Sequence, residues 1–227
     1  MKFKSSILTL LALIMCFIFF SCAGLTGPAR YEPASAKGNI VLMFSGRTGT
    51  GLYEEFARRL ADTGYYVLLY DGNDFPINQP DVCQAKIREI VKDAVLSPHG
   101  LPGKAAVIGY SLGGAVALSC AAGMAGEIAG IIAYYPATSL ISDHNACVDR
   151  FQVPITVMQG EEDHYFDCCT VEKIREMYLT ARKKRRDFEL IVYKEAGHGF
   201  NLGPLKNRDL DIDSWRKTTD ALKRYLP

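Results

Sequence analysis

The sequence predicts a doubly wound α/β domain on a mostly parallel sheet of about six to seven strands. Three observations lead there. Short apolar runs alternate with helical patterns from Asn39 to the end of the chain. Each run is apolar on both faces and bounded by Gly, Pro or Asp, as strands covered by helices on both sides require. The 227 residues are 48% hydrophobic and 22% charged, which suits one domain with a substantial core.

The elements follow in order. A first strand is expected at Ile40 to Phe44 and a helix at Leu52 to Asp62, then a strand at Tyr66 to Tyr70 and a helix at Asp81 to Val95. The strand Ala105 to Gly109 precedes a small-residue helix from Leu112 to Gly123. Strands at Ile131 to Tyr135, Ile155 to Gln159 and Glu189 to Tyr193 complete the sheet, with helices at Cys168 to Lys184 and Ser214 to Leu226. Repeated strand-then-helix units with right-handed crossovers make the sheet parallel. Ligands of such sheets bind at the carboxyl ends of the strands, so chemistry is sought in the loops just after them.

The domain is expected to span residues 38–227. Residues 24–37, rich in Gly, Pro, Ala and Ser without apolar periodicity, read as a linker. Ahead of it, Lys2 and Lys4 precede an apolar run from Ile7 to Phe20, and Ser21-Cys22-Ala23 follows. Such a run is shorter than the roughly 20 residues a bilayer span needs, so residues 1–23 read as a secretory signal peptide. Phe19-Phe20-Ser21-Cys22 resembles a lipoprotein box, and a cut there would lipidate Cys22 and tether the protein to a membrane. A cut after Ala23 would instead release it. The expectation is an exported protein, periplasmic or anchored as a lipoprotein, with secretion as the alternative.

The net charge of +1 gives no push toward nucleic acid, and none is expected as a partner. The basic run Arg182 to Arg186 reads first as a solvated helix end, favoured by the helix dipole, and second as a patch for anionic lipid. Beyond Cys16 and Cys22, five cysteines are present, an odd number, so at least one thiol is unpaired in a monomer. Cys147 is placed to pair with Cys168 or Cys169. Neither Cys-x-x-Cys nor His-x-x-x-His spacing occurs, so no metal site is expected.

The chemistry concentrates in Gly109-Tyr110-Ser111-Leu112-Gly113-Gly114, between a predicted strand and a predicted helix. That is the context of a nucleophile elbow, where a strained turn exposes a serine hydroxyl at a helix N-terminus. A hydroxyl needs a base to become a nucleophile. His198, in Glu195-Ala196-Gly197-His198-Gly199-Phe200 after the last strand, supplies one, with Phe200 expected to wall the site. His99 and His144 follow no strand closely, which leaves His164 as the rival base. An acid belongs after the penultimate strand, where Glu161, Glu162, Asp163 and Asp167 compete. The amide of Leu112, directly after the serine, is one expected oxyanion donor.

These residues resemble the dienelactone hydrolase branch of the α/β-hydrolase superfamily. The resemblance runs from about Asn39 to Pro227 and rests on GYSLGG, GEED, AGHGF and ADTGYYVLLYD. It implies the α/β-hydrolase fold, without a cap domain at this compact size. It selects Asp163 as the acid, since the family pattern Gly-x-x-Asp fits that carboxylate alone, and it turns His164 into a substrate-contacting rim residue. It also implies a second oxyanion donor at the Arg47 amide, because Ser45-Gly46 occupies the place of the His-Gly pair usual in this fold. Asp71 resembles the acidic residue that ends the second strand and is expected to shape a loop. Ser111 and Ser45 depart from the Cys nucleophile and the Glu of dienelactone hydrolases, which favours a carboxylesterase-type activity.

The expected function is therefore ester hydrolysis through an acyl-enzyme on Ser111, His198 and Asp163, with no cofactor and a small-molecule ester as partner. Arg47 and Tyr110 join His164 as substrate-contact candidates, although Tyr110, Tyr134 and Tyr135 also read as sheet-end packing. Acyl transfer or peptidase action would use the same triad. A catalytically inactive envelope-binding protein is the reading from another class.

Overall fold

The computed structural model describes residues 27–227. The expected signal segment, residues 1–23, and Cys22 within it lie outside the described residues. Seven strands form one sheet in the order β1-β3-β2-β4-β5-β6-β7. They are β1 (Ala29–Tyr31), β2 (Ile40–Phe44), β3 (Tyr66–Tyr70), β4 (Ala105–Tyr110), β5 (Ile128–Tyr134), β6 (Ile155–Gly160) and β7 (Phe188–Tyr193). All neighbours are parallel except β1, which pairs antiparallel with β3 at the edge. The expected linker thus contributes a strand. Three residues carry too short a pattern to read, and their pairing with β3 decides the conformation.

Six α-helices cover the sheet: α1 (Glu54–Asp62), α2 (Pro80–Leu96), α3 (Leu112–Val116, running on as a π-helical turn Ala117–Ala121), α4 (His144–Asp149), α5 (Val171–Lys183) and α6 (Arg208–Tyr225). Helices α1 and α6 pack on one face, where Phe56, Leu60 and Leu222 meet Val41, Met43 and Ile108. The other four pack on the opposite face, where Cys83, Ile87, Ala115, Val148 and Ile174 meet Leu42, Phe44 and Val107. Alternate residues of one strand enter different cores, which is why the central strand runs are apolar on both faces.

The α6 helix begins six residues earlier than its apolar pattern suggests, because Asn207 caps it by accepting from the amides of Asp209 and Leu210. The short α4 helix has no sequence expectation; Asp143 caps it through the amide of Ala146. The basic run at the end of α5 grips α4: Lys184 pairs with Asp149, and Arg186 donates to the Asp149 carbonyl. Cys83 bonds to Cys120 and Cys168 to its neighbour Cys169, leaving Cys147 as a buried free thiol. The expected pairing of Cys147 is thereby corrected. Its side chain faces the α3 core, where its thiol donates to the Leu118 carbonyl.

Candidate active site

Three loops at the carboxyl ends of β4, β6 and β7 meet at one point. Ser111 follows β4 with φ 51° and ψ −113°, a strained turn held by its amide to Tyr134 and its carbonyl to Ala115 and Ala137. The turn needs its glycines. A Cβ on Gly109 would strike the Gly113 backbone, and one on Gly113 would strike the Phe44 carbonyl. Glycine at 109 lets α3 approach β4, and glycine at 113 lets it approach the end of β2, so that the turn can aim Ser111 outward.

His198 sits on the turn after β7, and its Nε2 lies 3.2 Å from Ser111 Oγ. Its Nδ1 lies 2.9 Å from Oδ2 of Asp163, which is wholly buried on the loop after β6. Asp163 does not stand alone. Its Oδ2 also accepts from Gln159 Nε2 at 3.2 Å and its Oδ1 from the Tyr165 amide at 3.1 Å. Gln159, itself fully buried at the end of β6, donates in addition to the Cys169 carbonyl at 2.7 Å. These donors fix the direction of the carboxylate. The result is a hydrogen-bonded chain from acid to imidazole to hydroxyl. Proton transfer from Ser111 to His198 is the chemistry such a chain can perform.

The loop after β2 supplies the other wall. Ser45 is buried and accepts from the Gly72 amide, while Asn73 donates through Nδ2 to both Asp71 and the Arg47 carbonyl. Asp71 thus anchors Asn73, which holds the loop that carries the Arg47 amide. Neither the Arg47 nor the Leu112 amide has an acceptor among the described residues, and both border the space above Ser111. Two backbone donors free to meet a developing negative charge are what an oxyanion site requires.

Two recesses open from Ser111. The first, about 160 Å³, runs along His198, Gly199, Leu202 and Leu205 opposite Leu52 and Tyr53. The second, about 320 Å³, runs along Leu112, Ala137, Leu140 and Phe166. Arg47 and Tyr165 border both.

Three expected contacts take other places. Tyr110 is fully buried, stacked on Tyr134 at 4.8 Å and flanked by Tyr53 and Phe56, so it borders neither recess. Burial pushes its phenol well above the usual tyrosine range. His164 points to solvent and borders neither recess; the next residue, Tyr165, takes the rim. Phe200 packs into the core against Tyr134 and Tyr193 instead of walling the site. His99 and His144 lie elsewhere, one against Glu32 and one on the Thr138 carbonyl. The sequence reading missed Gln159, Tyr165 and the apolar walls, since nothing in their spacing ties them to Ser111.

Asp163, His198 and Cys169 bring donor atoms within 4.8 Å of one another, the spacing of a metal-binding group. All three are already engaged, the first two with each other and the Cys169 sulfur with Cys168.

The sequence model of the Dienelactone hydrolase family matches residues 28–226. The chain belongs to that family. Its fold is shared with solved α/β hydrolases. A candidate dienelactone hydrolase from Klebsiella pneumoniae subsp. pneumoniae MGH 78578 is 20% identical with a TM-score of 0.71, over 86% of this chain and 91% of that one. A dienelactone hydrolase-like promiscuous phosphotriesterase from metagenomic libraries is 19% identical with a TM-score of 0.65, over 84% and 88%. Thermogutta terrifontis esterase 2, phosphoramylated by tabun, is 17% identical with a TM-score of 0.66, over 87% and 90%. No curated protein sequence matches. Among the described residues this family member carries no cap domain, and the match begins at Pro28, one residue before the edge strand β1.

Proposed function

We propose that the protein is a serine esterase in which Ser111 is the nucleophile, His198 the general base and acid, and Asp163 the group that orients and charges the imidazole. The observation that carries the reading is the chain Asp163–His198–Ser111 at 2.9 and 3.2 Å, on the floor of two apolar recesses. Ser111 Oγ attacks the ester carbonyl carbon as its proton passes to His198 Nε2. Asp163 stabilises the imidazolium so formed. The Leu112 and Arg47 amides receive the negative charge on the carbonyl oxygen; one such donor is worth about 10² to 10³ in turnover. The carbon–oxygen bond to the alcohol then breaks, and His198 gives its proton to that oxygen. Water, deprotonated by the same imidazole, attacks the acyl-enzyme and releases the acid.

Three things support ester bonds as the target: family membership, a serine in the nucleophile position, and the esterases among the structural relatives. The test is labelling of the protein with a fluorophosphonate, compared with Ser111→Ala and His198→Ala, followed by hydrolysis of p-nitrophenyl esters. Labelling and turnover lost in Ser111→Ala support the reading. A folded wild type that neither labels nor hydrolyses sinks it in favour of a binding protein.

A further inference from the structure

Resting on the esterase reading, we infer that the two recesses divide the substrate: the alcohol lies against Leu202 and Leu205, and the acyl chain lies against Leu140 and Phe166. The substrate class is an uncharged ester with an apolar group on each side of the carbonyl, the acyl chain being the longer.

The division follows from the tetrahedral carbon. One of its four bonds goes to Ser111 Oγ. A second points its oxygen at the Leu112 and Arg47 amides. The leaving oxygen must lie within reach of His198 Nε2, which protonates it, and His198 borders only the first recess. The fourth bond, to the acyl chain, is left with the second recess, which Leu112 borders and His198 does not. The second recess is twice the volume of the first, about 320 against 160 Å³, so the longer arm belongs there.

The exposed surface continues both recesses. Leu52 is 47% and Leu205 65% exposed beside the first, and Phe166 is 84% exposed beside the second. Phe166 and Asp167 both have positive φ, 45° and 52°, so the loop that presents this phenylalanine to water holds two non-glycine residues in a costly conformation. A chain longer than the recess would emerge against it. Among the described residues, Arg47 is the one Lys or Arg that borders the two recesses, and it lies at their exposed rim.

The experiment uses the full chain and two substrate series: p-nitrophenyl esters of lengthening acids and acetates of lengthening alcohols. Each buried methylene is worth about fourfold in kcat/KM, and the rise is expected to continue further along the acid series than along the alcohol series. Two bulky substitutions at exposed walls separate the recesses: one at Ser139, which also borders the second recess, and one at Leu205 of the first. Ser139→Trp is expected to lower the octanoate-to-acetate ratio about tenfold and leave the alcohol series unchanged, while Leu205→Trp does the reverse. Leu140→Ala, which enlarges the second recess, is expected to move the acid optimum to longer chains. Ser111-dependent turnover with the effects of the two Trp variants exchanged, with both acting on one series, or with no chain-length response overturns the division alone. Turnover that survives Ser111→Ala overturns the esterase reading and the division with it.

Discussion

The rings of Tyr165 and His198 stack with centroids 4.5 Å apart and planes within 8° of parallel. Tyr165 also donates its amide to Asp163, so one residue steadies both partners of the imidazole relay. A second ring also packs on His198: that of Tyr135, with centroids 4.7 Å apart and planes at 59°. An imidazole packed in this way is held with Nε2 toward Ser111.

Replacing Tyr165 with Ala keeps the amide but removes the stack, which is worth about 0.5–1.5 kcal/mol. The expected result is a fall in kcat of about 3- to 10-fold, with Tyr165→Phe near wild type. Because Tyr165 is 47% exposed, thermal stability is expected to hold. Steady-state kinetics and a melting curve on the same samples check it. An equal loss in the Phe variant would move the role from the ring to the hydroxyl.

Gln159→Leu is expected to cost about 1–3 kcal/mol of stability, since the Cys169 carbonyl loses a donor inside the protein. Activity is expected to drop further than that loss accounts for, because Asp163 is freed from one of the groups that aim it. Urea unfolding and kcat for the folded fraction separate the two effects. Unchanged kcat would mean that the Tyr165 amide alone positions Asp163.

Gly113→Ala places a methyl against the Phe44 carbonyl, a contact with backbone that no side-chain rotation relieves. Overpacking of this kind costs about 1–3 kcal/mol. The elbow carries Ser111 with it as it shifts, so fluorophosphonate labelling is expected to slow sharply in protein that is still folded by circular dichroism.

Cys83 and Cys120 tie α2 to the helix behind Ser111 across a separation of 37 residues. On chain-entropy grounds, a Cys83→Ala/Cys120→Ala variant is expected to lose about 4 kcal/mol, read by chemical unfolding. The third sulfur of this layer behaves differently. Burial pushes the Cys147 thiol up to about 11 from an ordinary 9.0. The folded state therefore holds this proton more tightly, and stability is expected to fall as pH rises above about 9. At pH 8, mass-spectrometric mapping is expected to find Cys147 alkylated only after denaturation.

How far each feature could be read depends on the range of the interaction that makes it. The strands β2 to β6 were legible because each buries both faces, which makes most of their residues apolar; the edge strand β7 exposes Glu189 and was legible from its Leu190 to Tyr193 run. The Ser111 turn was legible because the close approach of α3 to β4 and to the end of β2 demands glycine at 109 and 113, a requirement written in five consecutive residues. His198 and Asp163 follow from chain order and loop position in the resemblance, and the structure sets them in line with Ser111.

Other features depend on partners far along the chain. The pattern at Ala29–Tyr31 carries no strand signal, and pairing with Val67–Leu69 makes the strand. Cysteine pairing followed which side chains entered the same core, a matter of helix packing that spacing does not encode. Tyr110 and His164 stand beside the key residues in sequence yet point away from the site, because successive residues at a strand end or in a tight loop face opposite directions. Gln159, Tyr165, Leu140 and Leu205 reach the site from separate loops. The amino-acid sequence by itself determined the layered fold, the elbow and the residue types available for proton transfer, since those rest on burial and backbone geometry within short segments. Only the tertiary structure decided which side chains aim the acid, clamp the imidazole and shape the two recesses, since those contacts join segments that nothing but packing brings together.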